Sequence, residues 1–279
     1  MTPTFSLIVP IHNQEAILRD VLDSIVEMTV GSYEVILILD GCTDRSAEIV
    51  EEWRATAPCP VHVLVNPPPG QFETRCDNQG FRLATGTYLV ELQADMKLLT
   101  FGYNLILASP LEQYPDLLGI SGRCCHTLWP FPPTGTGKLG AAVEKPHTVL
   151  HSFRGFGTVF LSHTVNRGPL VLRASMLREL GYLDEEHYVL GEDEHDLFAR
   201  AWVIKQWRCG FVPVEVYSPL SWGSTRKPRS TEAQRYLDSR RERMREGFLI
   251  VNRSRIQYPT PETRPFRIAR ALLAHTSVS

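Results

Sequence analysis

Two short apolar runs near the N-terminus, Phe5-Ser6-Leu7-Ile8-Val9-Pro10-Ile11 and Tyr33-Glu34-Val35-Ile36-Leu37-Ile38-Leu39, each stop on polar residues, the second on Asp40. Near-continuous aliphatic runs of this kind mark strands buried on both faces of a parallel sheet. In an open α/β sheet the ligand lies beyond the carboxyl ends of such strands. His12, Asn13 and Glu15 follow the first run, and Asp40, Thr43 and Asp44 follow the second. These side chains are therefore expected to meet in one crevice.

The chain continues in the same alternation. Apolar residues at 17, 18, 21, 22 and 25 have helical spacing, entered through Asn13 as an N-cap, and Thr43 or Asp44 can cap a second helix through Val50 and Trp53. Val61–Val65 reads as a third strand, Pro67-Pro68-Pro69-Gly70 breaks the chain, and a helix over 72–84 leads into a fourth strand, Tyr88–Leu92. Such repetition argues for βαβ units on a mainly parallel sheet with helices on both faces. Beyond it, a helix is expected over 101–113, strands over 117–121 and 168–173, and a short helix from Ser175 stopped by Gly181. Gly191-Glu192-Asp193-Glu194 opens another helix acid-first. Residues 124–166 show weak periodicity, as functional or disordered loops do.

Composition narrows the class. No apolar run reaches the roughly 20 residues that span a bilayer and no signal stretch opens the chain, so a cytoplasmic protein is expected. Six cysteines without paired metal spacing read as free thiols, with vicinal Cys124-Cys125 as the one redox candidate. No Gly-x-Gly-x-x-Gly follows the first strand, against a dinucleotide oxidoreductase, and no Gly-Lys-Ser/Thr occurs, against a P-loop nucleotidase. Nothing points to nucleic acid. Residues 226–279 hold 13 Lys/Arg against 5 Asp/Glu in a chain whose net charge is -2. This basic tail reads as helical over 232–251. With its second segment, 264–273, it either packs on the rest of the fold or a second subunit, or rests on anionic lipid.

The ordered pieces resemble the family 2 glycosyltransferases of the GT-A fold. They are Val9-Pro10-Ile11-His12-Asn13-Gln14-Glu15, Asp40-Gly41-Cys42-Thr43-Asp44, Asn78-Gln79-Gly80 with Ala84-Thr85-Gly86, Gln93-Ala94-Asp95, Gly168-Pro169 through Glu185, and Glu192-Asp193 with Asp196-Leu197 and Arg200. The likeness runs over about residues 5–217. It implies a catalytic domain over 1–225, with a nucleotide-sugar-binding half (1–98) and an acceptor half (99–225), followed by a basic helical extension over 226–279. Pro10, His12, Asn13, Glu15, Asp40, Asn78, Gly80, Gln93, Ala94 and Asp95 would then line the donor site, with Asp40 on the imide of a uracil. Asp95 would hold Mg²⁺ or Mn²⁺ against the donor diphosphate. Asp193 would be the base for an inverting transfer to a hydroxyl acceptor, a glycan, lipid-linked molecule or protein, and Glu192 would position the acceptor or Asp193 itself.

Each assignment has a plainer rival. Asp40, Asp44 and Asn13 are residue types that cap helices, Glu192 to Glu194 suit any acidic first turn, and Arg200 can simply hold the fold. Trp129, Trp202, Trp207 and Trp222 can face a sugar or fill a core. Gln93 stands where the family keeps the first acid of Asp-x-Asp, so the site has one charge fewer for a metal. No His occurs in 217–223 to serve as a further ligand. Polymerising relatives carry membrane helices and Gln-x-x-Arg-Trp, both absent here, so single-sugar addition is expected. The alternative class is a catalytically silent nucleotide- or glycan-binding protein on the same fold. Donor sugar, acceptor and oligomeric state are not legible in the chain.

Overall fold

The computed structural model describes residues 3–123, 156–223 and 231–273. Cys124, Cys125, Trp129 and most of the 124–166 loop lie outside the described residues.

The expected alternation forms the first half. β1 (Phe5–Ile11), α1 (Leu18–Met28), β2 (Tyr33–Asp40), α2 (Ser46–Arg54), β3 (Val61–Asn66), α3 (Glu73–Leu83) and β4 (Tyr88–Glu91) follow in order. The two-residue side-chain period of β1 and β2 divides the core. Leu7, Val9, Ile11, Val35, Leu37 and Leu39 pack under α1 and α2, while Ile8, Ile36 and Ile38 pack with Cys76 and Phe81 of α3. Gly80 is where α3 crosses β1: a Cβ there would stand 2.5 Å from Ile8 Cγ2.

The second half comprises β5 (Lys97–Leu98), α4 (Tyr103–Gln113), β6 (Leu117–Ser121), β7 (Phe156–Ser162), β8 (Leu170–Arg173), α5 (Ala174–Leu180), α6 (Asp193–Lys205), β9 (Arg208–Phe211) and β10 (Val216–Tyr217). α7 (Thr231–Arg241), α8 (Phe248–Asn252) and β11 (Glu262–Arg267) complete the described α-helices and strands. Nine strands form one sheet in the order β11-β7-β9-β6-β8-β4-β1-β2-β3, and β5 pairs with β10 apart from it. β3, β2, β1 and β4 are parallel, but β8 runs antiparallel to both β4 and β6, and β7 runs antiparallel to β9 and β11. The sheet is therefore mixed rather than mainly parallel. The βαβ pattern ends at β4, and the strands beyond it were not all marked by apolar runs long enough to read.

The tail also departs from the expected helix. Its helical part is interrupted, with a 3-10 turn over Arg243–Glu246 and Gly247 between α7 and α8. Arg264 and Phe266 belong to strand β11, which pairs with β7, and Phe266 is 2% exposed. α7 is held by Phe72 stacked on Tyr236 at 5.3 Å and by Arg240 donating to the Glu186 carbonyl. Residues 262–267 thus form the outermost strand on the β7 side of the sheet, in line with the packing reading of the tail.

Candidate active site

The turns after β1 and β2 are tied to each other as their strand ends suggested. Asn13, at φ 51°, accepts from Thr43 N (2.8 Å) and Asp44 N (3.3 Å) rather than capping α1, which starts at Leu18 with no side-chain cap. Asp44 accepts from Glu15 N and Ser46 N, Glu15 accepts from Arg45 N, and His12 Nδ1 lies 2.6 Å from the Asp40 carbonyl. Reciprocal side-chain to backbone bonds of this kind satisfy the unpaired N–H groups that begin a helix. Pro10 sits just inside, near the end of β1.

Asp40 ends β2 with its carboxylate already engaged. Oδ1 accepts from Gln71 N (2.6 Å) and Asn66 Nδ2 (3.1 Å), and Oδ2 from Phe72 N (2.9 Å). The Pro67–Phe72 connection thus closes over it, with Gly70 at φ 97° leaving no room for a Cβ beside Asp40 Oδ2.

Asn78 and Gly80 stand elsewhere. Asn78 is fully buried and bonds to Leu183 N, the Leu183 carbonyl and Glu185, fixing the turn after α5 to α3. Gly80 is the close-packing position on Ile8. Arg200 pairs with Asp196 and donates to the carbonyls of Leu180 and Tyr182, so it holds the fold in the manner of its plainer reading.

A buried charge network joins the remaining acids. Gln93, Ala94 and Asp95 follow β4, where Met96 N donates to the Gln93 carbonyl to close a turn. Gln93 Nε2 donates to Glu73 Oε1 (3.1 Å), and Glu73 Oε1 lies 3.3 Å from Arg167 Nη1. Arg167, 4% exposed, also reaches Asp77 Oδ2 (2.5 Å), Glu91 Oε1 (3.3 Å), Glu194 Oε2 (3.4 Å) and, through Nη2, Asp193 Oδ2. Arg123 lies beside it, donating to Gln93 Oε1 (3.4 Å) and to the Arg167 carbonyl (3.1 Å). An unbroken line of polar contacts therefore runs from the end of β4 to the first turn of α6. Asp193 is wholly buried, and its Oδ1 accepts no hydrogen bond among the described residues.

Charge placement shifts several proton affinities. Burial works against the Arg167 charge, but Glu73, Glu91, Asp77 and Glu194 outweigh it and hold the guanidinium protonated more tightly than usual. Burial pushes Glu91 up to about 7 despite Arg167, and raises Asp77 with Glu91 adding to it. Burial lowers Arg123, while Asp95, Glu194, Glu73 and Glu91 act the other way.

Glu73, Asp77 and Glu91 present carboxylate oxygens within 4.8 Å of one another, a spacing at which a divalent cation can be held. Arg167 Nη1 already stands 2.5 to 3.3 Å from all three, so this space carries a positive charge of its own. Asp95 lies outside that cluster and is only half-buried.

Glu73, Asp77, Glu91, Glu194, Arg123 and Arg167 were not singled out from sequence. Glu91 carried a signal as an acid inside an otherwise apolar strand run, and Glu194 as part of the acidic opening of α6. Arg167 lies between the stretch of weak periodicity, 124–166, and the strand expected from 168, and its partners come from α3, β4 and α6.

Residues 6–99 match the family described as Glycosyl transferase family 2. The chain is 35% identical over 119 residues to the uncharacterized glycosyltransferase EpsJ of Bacillus subtilis, covering 43% of this chain and 34% of that one. It is 30% identical over 134 residues to the uncharacterized glycosyltransferase YibD of Escherichia coli, covering 48% and 37%. The alignments thus span about a third of the length of these curated relatives. In three dimensions the chain resembles the mannosyltransferase PcManGT of Pyrobaculum calidifontis, solved with GDP-Man and Mn²⁺, with TM-score 0.59, 16% identity and coverage of 93% and 66%. The fold is of the GT-A class, a mixed sheet flanked by helices. The family-2 likeness thus rests on residues 6–99, and the likeness to solved structures extends the fold over the rest of the described chain.

Proposed function

We propose that this domain transfers one sugar from a nucleotide-sugar, a UDP-sugar, to a hydroxyl acceptor, with inversion and without processive addition. The observation that carries this reading is the polar line Gln93–Glu73–Arg167–Asp193, which links the Asp95 turn to the first turn of α6.

In the proposed reaction, Asp40 faces the uracil through Oδ2, the oxygen with one backbone partner against two bonds on Oδ1. His12, Asn13 and Glu15 set the shape of the crevice from the β1 side. Asp95 would hold Mg²⁺ or Mn²⁺, which when bound neutralises charge on the departing diphosphate. Gln93 keeps the turn in place through Glu73, and Arg123 adds fixed positive charge beside it. Asp193 takes the proton of the acceptor hydroxyl on Oδ1, the oxygen that Arg167 leaves unengaged, while Arg167 fixes the other. Glu192, exposed at the N-terminus of α6, positions the acceptor. Access to Asp193 requires the contacts that seal it to part when substrates enter.

The sealing of Asp193 favours one rival, a nucleotide- or glycan-binding protein without turnover. Purified chain incubated with a panel of UDP-sugars and Mn²⁺ separates the two. Nucleotide release that disappears in Asp95→Ala and Asp193→Asn supports the transferase. Thermal stabilisation by the same donors with no release in any condition supports the binding protein.

A further inference from the structure

Four large aliphatic side chains stand in solvent on two helices that pack together: Val203 (44% exposed) and Ile204 (57%) on α6, and Ile250 (37%) and Val251 (56%) on α8. The other exposed large hydrophobic residues among those described, such as Val65 and Phe101, lie on separate elements. A cavity of about 260 Å³ lies between the C-terminal part of α6 and the end of α8 with the residues after it, lined by Trp202, Val203, Asn252, Arg255 and Ile256 among others.

Their exposure is built in rather than a frayed end. Leu249 N donates to Asp196 Oδ1 of α6 at 2.8 Å, and Tyr188 donates to the same oxygen at 3.0 Å. With Leu249 anchored inward and half-buried, Ile250 and Val251 are held outward. Arginines flank α8 on both sides. Arg243 and Arg245 precede it, Arg253 and Arg255 follow it, and all four are exposed. None of the four forms an ion pair among the described residues. Glu242 and Glu246 are the acids nearby in sequence, and residues 247–261 contain no acid at all.

We propose that the α6–α8 face docks on the surface of an anionic lipid bilayer, with the four aliphatic side chains entering the headgroup boundary and Arg253 and Arg255 meeting lipid phosphates. Exposed aliphatic residues beside uncompensated arginines are the composition that binds such a surface, since apolar burial and attraction to negative headgroups add. α6 joins this face to the candidate site: Asp193 opens the helix and Val203 follows ten residues later, about 15 Å along the axis. Docking does not depend on sugar transfer.

Sedimentation of the full chain with phosphatidylglycerol/phosphatidylcholine vesicles and with pure phosphatidylcholine vesicles tests it. Expected is pelleting with the anionic vesicles at low salt that falls as salt screens the arginines. The Ile250→Asp/Val251→Asp pair and the Arg253→Glu/Arg255→Glu pair each weaken it about tenfold or more, while Phe101→Asp leaves it unchanged. Melting curves establish that each variant is folded, and the exposed arginine pair serves if the aliphatic pair is not. No pelleting at low salt overturns the proposal, as does pelleting that both folded variants retain. A concentration-dependent dimer in sedimentation velocity, abolished by the same variants without any vesicle binding, assigns the face to a second copy and overturns it equally.

Discussion

Arg167 Nη2 is ion-paired with Asp193 Oδ2 inside the protein, with side chains 4% and 0% exposed. The same guanidinium reaches Glu73, Asp77, Glu91 and Glu194. One cation therefore organises five carboxylates drawn from α3, β4 and α6, and its removal leaves buried like charges facing one another. Arg167→Ala should destabilise the fold by about 3–5 kcal/mol, the range for breaking a buried ion pair from one side. Urea unfolding monitored by tryptophan fluorescence measures it. A loss below about 1 kcal/mol would mean that the pair behaves as a surface contact.

The raised Glu91 carboxyl gives stability a pH dependence of definite sign. Burial lifts it from 4.5 to about 7 in the native state. Between those values the native protein holds a proton that the unfolded chain has released, so this group lowers stability as pH rises through that window. His163, held below its ordinary value by burial, contributes the opposite slope, so the informative quantity is a difference between proteins. Glu91→Gln should lose the falling component, seen as a flatter or rising melting temperature from about pH 5 to pH 7 relative to the parent chain.

Asp40 tests the proposed nucleotide pocket and the fold together. Asp40→Ala removes the acceptor of Gln71 N, Phe72 N and Asn66 Nδ2, at a cost of about 1–3 kcal/mol for each buried donor left without a partner. UDP-induced thermal stabilisation should also fall in this variant. Stability that falls while the UDP shift persists in full would limit Asp40 to holding the 67–72 connection.

Asp193→Asn should reduce transfer by about 10²–10⁴-fold, the usual contribution of a general base, with donor affinity by calorimetry nearly unchanged. An active Asp193→Asn protein would move the base to another acid of the network.

Phe266 tests the tail as part of the sheet. It is 2% exposed on β11 and its ring lies over Gly157 of β7, where a Cβ would come within 2.5 Å of Cζ. Phe266→Ala should cost about 3–5 kcal/mol in chemical denaturation. A neutral substitution would mean that β11 adds nothing to the core.

What was legible in advance was local. The apolar runs at Phe5–Ile11 and Tyr33–Leu39 specify strands because two-sided burial demands aliphatic residues without interruption, and β1 and β2 form there. Gly181, at φ 83°, ends α5 as a left-handed cap does. Residues 262–267 had no such mark, since an edge strand alternating Arg, Pro and Phe looks like any basic surface segment.

The sequence by itself determined the parallel βαβ half and the meeting of the β1 and β2 turns, because hydrophobic period and turn chemistry act over a few residues. Only the tertiary structure decided that β8, β7 and β11 run against their neighbours, that Asn78 and Gly80 serve packing, and that Arg167 joins Asp193 to Glu73, Asp77 and Glu91. Those outcomes depend on pairing across long stretches of chain and on sharing a buried charge among several elements. Neither leaves a trace in the order of nearby residues.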